Sequence, residues 1–87
     1  MEEKIFSVRD NKAELFLEPF FARNAEVALR GFSEAVNTSG HQFNRHPDDF
    51  DLFELGTYSP EDGSIAPNAL GPHHYGSARA YLKSEVV

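Results

Sequence analysis

Two histidines and three aspartates fall between His41 and Asp51, and this is where the chain could do metal or acid/base chemistry. Imidazole with carboxylate is a common ligand pairing for divalent metals, and a histidine beside an aspartate is a common acid/base pair. The spacing speaks against both. His41, His46, Asp48 and Asp49 match no zinc or iron signature, and no His-x-x-x-His or Glu-x-x-His lies on a convincing helix. Asp48-Asp49-Phe50-Asp51 lacks the glycine-containing spacing of a calcium loop. His73-His74, in a stretch rich in Gly and Pro, is a weaker candidate still. A capped turn with solvated charges accounts for the cluster better, and no metal or cofactor is expected.

Nucleophilic catalysis has no more support. The serines stand in no nucleophile elbow, and no phosphate loop or triad pattern is present. A domain of 87 residues also struggles to enclose a water-excluded pocket. The sequence reads as a non-enzyme, with no catalytic residue.

A different chemistry comes from the front half. Arg9, Lys12, Arg23, Arg30 and Arg45 are interleaved with Phe6, Phe16, Phe20, Phe21, Phe32 and Phe43. Aromatic side chains on a sheet beside basic residues are how single strands are held without reading sequence. Most of these phenylalanines are also needed for a core. Phe20 and Phe21 are adjacent and cannot both face inward on an extended segment, so one is available to solvent. The candidate nucleic-acid contacts are therefore Arg9, Lys12, Phe21, Arg23, Arg30 and Arg45.

Charge limits that reading. The net charge is −6, and residues 46–78 carry six acidic side chains with no Lys or Arg, while residues 1–45 are near balance at −1. Nucleic-acid binding rests on cations that release counterions. Any DNA contact therefore belongs to the front half, and the acidic stretch should face elsewhere.

These residues need elements to position them. Lys4 to Arg9 is rich in β-favouring types, Asp10-Asn11-Lys12 supplies a turn, and Ala13 to Leu17 alternates, so a first hairpin is expected up to Pro19. Ala25, Ala28, Leu29, Phe32, Ala35 and Val36 form one helical stripe, with Asn24 as N-cap and Asn37-Thr38-Ser39-Gly40 as the stop. Pro47 suits the first position of a short helical turn. Phe50 to Leu55 reads as a strand, Ser59-Pro60-Glu61-Asp62-Gly63 as a hairpin turn, and Ser64 to Ala66 as the return, ended by Pro67. Asn68 to Gly76 reads as an irregular connection, and Ser77 to Val87 as a short strand or frayed helix. The expected fold is α+β: an N-terminal β-hairpin, one amphipathic α-helix, a short turn, a second β-hairpin and an irregular C-terminal tail, the helix packed on an antiparallel sheet. Residues 1–67 should make the compact domain, with 68–87 packing on it.

Hydrophobic content of 40%, with eight Phe and three Tyr, is too apolar for a disordered chain. So many aromatics in a small domain favour a homodimer that buries the excess. With no cysteine, disulfides and thiolate chemistry are excluded. Met1-Glu2-Glu3-Lys4 does not begin a signal peptide, and no apolar run is long enough to span a membrane, so a soluble cytoplasmic protein is expected.

Taken together, Ile5-Phe6-Ser7-Val8-Arg9-Asp10, Lys12-Ala13-Glu14, Pro19-Phe20-Phe21, the run Ala28 to Asn37, Phe43-Asn44-Arg45-His46-Pro47-Asp48-Asp49-Phe50 and Leu52-Phe53-Glu54-Leu55-Gly56 form an ordered combination. It resembles the small nonstructural protein of gokushovirus-like microviruses, single-stranded DNA bacteriophages, over about residues 4–66. The resemblance implies a protein of the host cytoplasm, absent from the capsid and usually described as DNA-binding. Its implied role lies in single-stranded genome synthesis or the hand-over to packaging. Single-stranded DNA and a phage replication or packaging protein are the implied partners. The alternative reading is an acidic adaptor that offers Asp48 to Asp62 to a basic protein surface and ignores DNA.

Overall fold

Two long strands carry the architecture, one from the start of the chain and one from its middle. In a computed structural model that describes residues 2–83, β1 (Glu3–Asp10) lies antiparallel to β4 (Phe50–Ser59), paired from Glu3 opposite Tyr58 to Asp10 opposite Phe50. The free edge of β1 is covered by two short strands. β2 (Leu15–Phe16) pairs with Arg9 and Asp10, and β3 (Phe20–Ala22) pairs with Lys4 to Phe6. The free edge of β4 is treated likewise. β5 (Ser64–Pro67) runs beside Gly56 to Ser59, and β6 (His73–Ser77) beside Asp51 to Glu54. All pairings are antiparallel, and the described residues form one six-stranded sheet.

Helix α1 (Ala25–Val36), a short α2 (Gln42–Arg45), a 3-10 turn at Pro47–Asp49 and a short α3 (Ala78–Tyr81) cover one face of this sheet. Asn24 caps α1, its Oδ1 accepting from the Val27 N–H at 2.9 Å. The stripe Ala28, Phe32 and Val36 is buried against Phe6, Val8, Phe50 and Leu52 of the central strands. Phe43 of α2 bridges the layers, 5.6 Å from Phe32 and 4.8 Å from Phe50 between ring centroids. His41 caps α2 through Nδ1, which accepts from the Phe43 N–H at 3.0 Å, so this histidine has a local structural task. Asn37 ends α1 and clamps the C-terminal segment. Its Nδ2 donates to the carbonyls of Ser33 and Tyr81, and its Oδ1 accepts from the Lys83 N–H.

The α+β layout with a helix over an antiparallel sheet is as the sequence leads one to expect. Three details differ. The return strand read over Ala13 to Leu17 shrinks to Leu15–Phe16, because the Asp10 carboxylate accepts from the backbone of Lys12 and Ala13 and winds a tight turn. Glu14 closes that turn at φ 61°, so strand geometry starts only after it. Beyond Pro19 the chain re-enters the sheet as β3, a strand whose three residues are too few for periodicity to reveal. Finally, the connection read over Asn68 to Gly76 contains most of β6. A register shift between Leu52 and Phe53 leaves Tyr75 as an extra residue, which breaks the period-two pattern there. Residues 84–87 of the expected tail, and Met1, lie outside the described residues.

Candidate nucleic-acid interface

Alternation along β4 sorts its side chains to two faces. Phe50, Leu52 and Glu54 turn to the helices and are buried, while Asp51, Phe53 and Leu55 turn the other way and are half-buried. β1 does the same, with Phe6 and Val8 in the helix-covered core and Ile5, Ser7 and Arg9 on the opposite face. Among the described residues no helix covers that second face. Apolar neighbours shield Ile5, and the Ser7 hydroxyl donates to the Leu17 carbonyl at 2.6 Å, so both are buried without a covering layer.

Aromatic side chains pave this open face in two groups. In the first, Phe16, Phe53 and His74 form a run across three strands, with ring centroids 5.4 Å apart from Phe16 to Phe53 and 5.0 Å from Phe53 to His74. The Arg9 guanidinium stands 5.7 Å from the Phe16 ring centroid, within cation–π range. Its Nε donates to Asn11 Oδ1 at 3.2 Å. Asn11 in turn lies 3.4 Å from Asp51 Oδ2, and His74 Nε2 is 3.4 Å from the same oxygen. In the second group, Phe21 meets Tyr58 edge-on at 5.2 Å. Phe21 remains 49% exposed and Phe16 37%. Ile65, the cross-strand partner of Tyr58, extends the patch at 65% exposure.

The six residues read as nucleic-acid contacts do not form one patch. Arg9 and Phe21 lie on the open face, and Lys12 is exposed in the turn that follows β1. Arg23 follows β3 and shares a shallow surface depression with Phe21, Val27 and Pro60. Arg30 is exposed on α1, two residues from both Ala28 and Phe32, and so points away from the sheet. Arg45 ends α2 in the helical layer. Phe20 and Phe21 divide as their adjacency requires: Phe20 stacks on Phe6 at 5.8 Å, and Phe21 faces outward.

Sequence reasoning missed Phe53, Tyr58, Asp51 and His74. For Phe53 and Asp51 the signal was present, since Phe50-Asp51-Leu52-Phe53-Glu54 alternates and puts both on the face that Phe50 and Leu52 avoid, whereas the extra residue Leu55 shifts the alternation before Tyr58. His74 carried no such signal, because the shifted register hides β6.

The acidic stretch is dispersed rather than continuous. Asp48 is held in a two-pronged pair with Arg79, Nε to Oδ1 and Nη2 to Oδ2 both at 3.0 Å, and this holds its carboxyl below the usual aspartate value. Glu54 is buried at the edge of the core. It accepts from the Tyr75 hydroxyl at 2.9 Å, with Asn68 Nδ2 at 3.4 Å and Lys4 Nζ at 3.6 Å. Burial first, and then this carboxylate, raise the Tyr75 phenol above its ordinary value. Among the described residues no three His, Asp or Glu side chains are grouped as a metal site requires. Nor is any helix among them long and apolar enough to cross a membrane.

No curated protein and no solved structure matches this chain. A family profile described as Phage ORF5 protein does match, over residues 3–81, and so takes in every strand and helix described above. With that span covered, the chain belongs to the Phage ORF5 protein family.

Proposed function

We propose that this phage protein is a nonstructural accessory factor of a gokushovirus-like microvirus that binds single-stranded DNA on its open sheet face. It acts in the host cytoplasm, as a homodimer, during synthesis of the single-stranded genome or its hand-over to packaging. The observation that carries this reading is the run Phe16–Phe53–His74 with Arg9 stacked at its end, on a face that no helix among the described residues covers. Bases stack on exposed aromatic rings whatever their identity, and a neighbouring guanidinium contacts the phosphates or adds a cation–π contact. Two of the acidic groups leave the run clear. Asp48 is neutralised by Arg79, and Glu54 is turned to the opposite face beside Lys4, so neither opposes a strand lying on the aromatic run.

Fluorescence anisotropy with a labelled single-stranded oligonucleotide tests this directly. Binding is expected at ~50 mM salt and should weaken at ~200 mM, as any phosphate contact does. Phe53→Ala should raise Kd by roughly tenfold, since one base–aromatic stack contributes about 1–3 kcal/mol. Arg30 and Arg45 lie in the helical layer, so reversing their charges should change affinity far less than Arg9→Glu does. Absence of binding at low salt would remove the DNA function.

The adaptor reading rests on one observation, the β4–β5 hairpin. Its turn carries Glu61 and Asp62, and Ile65 is exposed beside it, on a molecule 50 Å long in its greatest dimension. A pull-down in which a basic phage protein is retained by the intact chain and lost on Asp62→Lys would favour the adaptor.

A further inference from the structure

Asp51 is out of place on a surface that holds a polyanion. It shares the open face with Phe53, two residues along β4, and is the direct cross-strand partner of Arg9. Its side chain is only 22% exposed, and Oδ2 takes both contacts available to the group, Asn11 Nδ2 and His74 Nε2 at 3.4 Å each. No hydrogen bond reaches Oδ1 from the described residues. The result is a partly desolvated carboxylate, oriented by two neighbours, with one oxygen unused at the side of an aromatic run.

Phosphates cannot satisfy that oxygen, because both groups are negative. The donors a single strand offers are on its bases. Cytosine, adenine and guanine each carry an exocyclic amino group, and a carboxylate accepts from such groups as Asp and Glu do from cytosine N4. Thymine has one imino N–H set between two carbonyl oxygens, and those oxygens meet a carboxylate unfavourably. The geometry points to Asp51 as a base-selecting residue: it accepts from the exocyclic amino group of a base stacked on the Phe16–Phe53–His74 run and so disfavours thymine. Asn11 and His74 position the carboxylate, and Phe16 and Phe53 supply affinity without choice of base. This rests on the single-stranded DNA reading of the same face.

Competition anisotropy on the full chain, with 15-residue homopolymers of dC, dA and dT at neutral pH and low salt, tests it. The unchanged protein should bind dC and dA roughly tenfold more tightly than dT, the size of one hydrogen bond to a charged acceptor. Asp51→Ala should bring the three within about twofold, chiefly by strengthening dT as a negative charge leaves the site. Asp51→Asn keeps the side chain's volume and should also shrink the preference, because its amide can donate to thymine O4. Phe53→Ala should weaken all three polymers alike. Equal affinities in the unchanged protein, or a tenfold preference that survives both Asp51 variants, would overturn the assignment while leaving the DNA reading standing. Failure to bind any of the three polymers would overturn both.

Discussion

Single side chains in this protein do work that their type alone would not suggest. His41, a candidate ligand by residue type, is a helix cap, and Asp48 anchors α3 through Arg79. The Asp48–Arg79 pair has a pH signature. The Asp48 carboxyl is held below its ordinary value by the hydrogen bonds and charge of Arg79, so whatever it adds to stability is present above the unfolded-state value and is lost as pH falls through the folded one. In an NMR pH titration, Arg79→Ala should move the Asp48 midpoint upward to the ordinary aspartate range; an unmoved midpoint would mean the pair does not persist in solution. Gly56 presents the opposite case, a residue defined by lack of space. A Cβ there would run into the Ala66 carbonyl oxygen across the β4–β5 pairing. Gly56→Ala should cost about 1–3 kcal/mol, the range for forcing extra atoms into a packed site, measurable by urea denaturation.

Elements differed in how legible they were. The α1 stripe and its cap could be read directly, because six apolar positions repeat at helical spacing between Asn24 and Asn37. Phe32 sits in that stripe at 3% exposure, ringed by Phe43 and Tyr81, and Phe32→Ala should lower stability by about 3–5 kcal/mol in a denaturant melt. A loss well under one would mean the stripe is not core. The β4–β5 hairpin was equally legible from Ser59-Pro60-Glu61-Asp62-Gly63. What could not be read was the partner of each strand. β1 to β4 is a pairing across some forty intervening residues, and neither strand's sequence names the other. The candidate site suffered from this most. Phe16, Phe53 and His74 come from three separate strands and meet only through that pairing, whereas the front-half cations could be listed from the sequence and proved to be divided between two faces.

At the scale of the molecule, the described residues cover one sheet face with helices and leave the other without them, and that second face is aromatic. A surface of that kind in a small chain also suits self-association. The proposed homodimer should appear in sedimentation equilibrium as twice the 9.8 kDa chain mass at micromolar concentration. If Tyr58→Glu, at the end of the face away from Arg9, returns it to a monomer and leaves DNA affinity unchanged, the two uses of the face are separate. The central pairing has a further consequence, for the timing of folding. With β1 ending at Asp10 and its main partner starting at Phe50, nearly two-thirds of the chain must leave the ribosome before the middle of the sheet can close. A topology dominated by such distant pairings folds slowly. Until β4 arrives, Phe6 and Val8 can meet β3 and α1 but not Phe50 and Leu52, so half of the core layer stays open until the middle of the chain has been made.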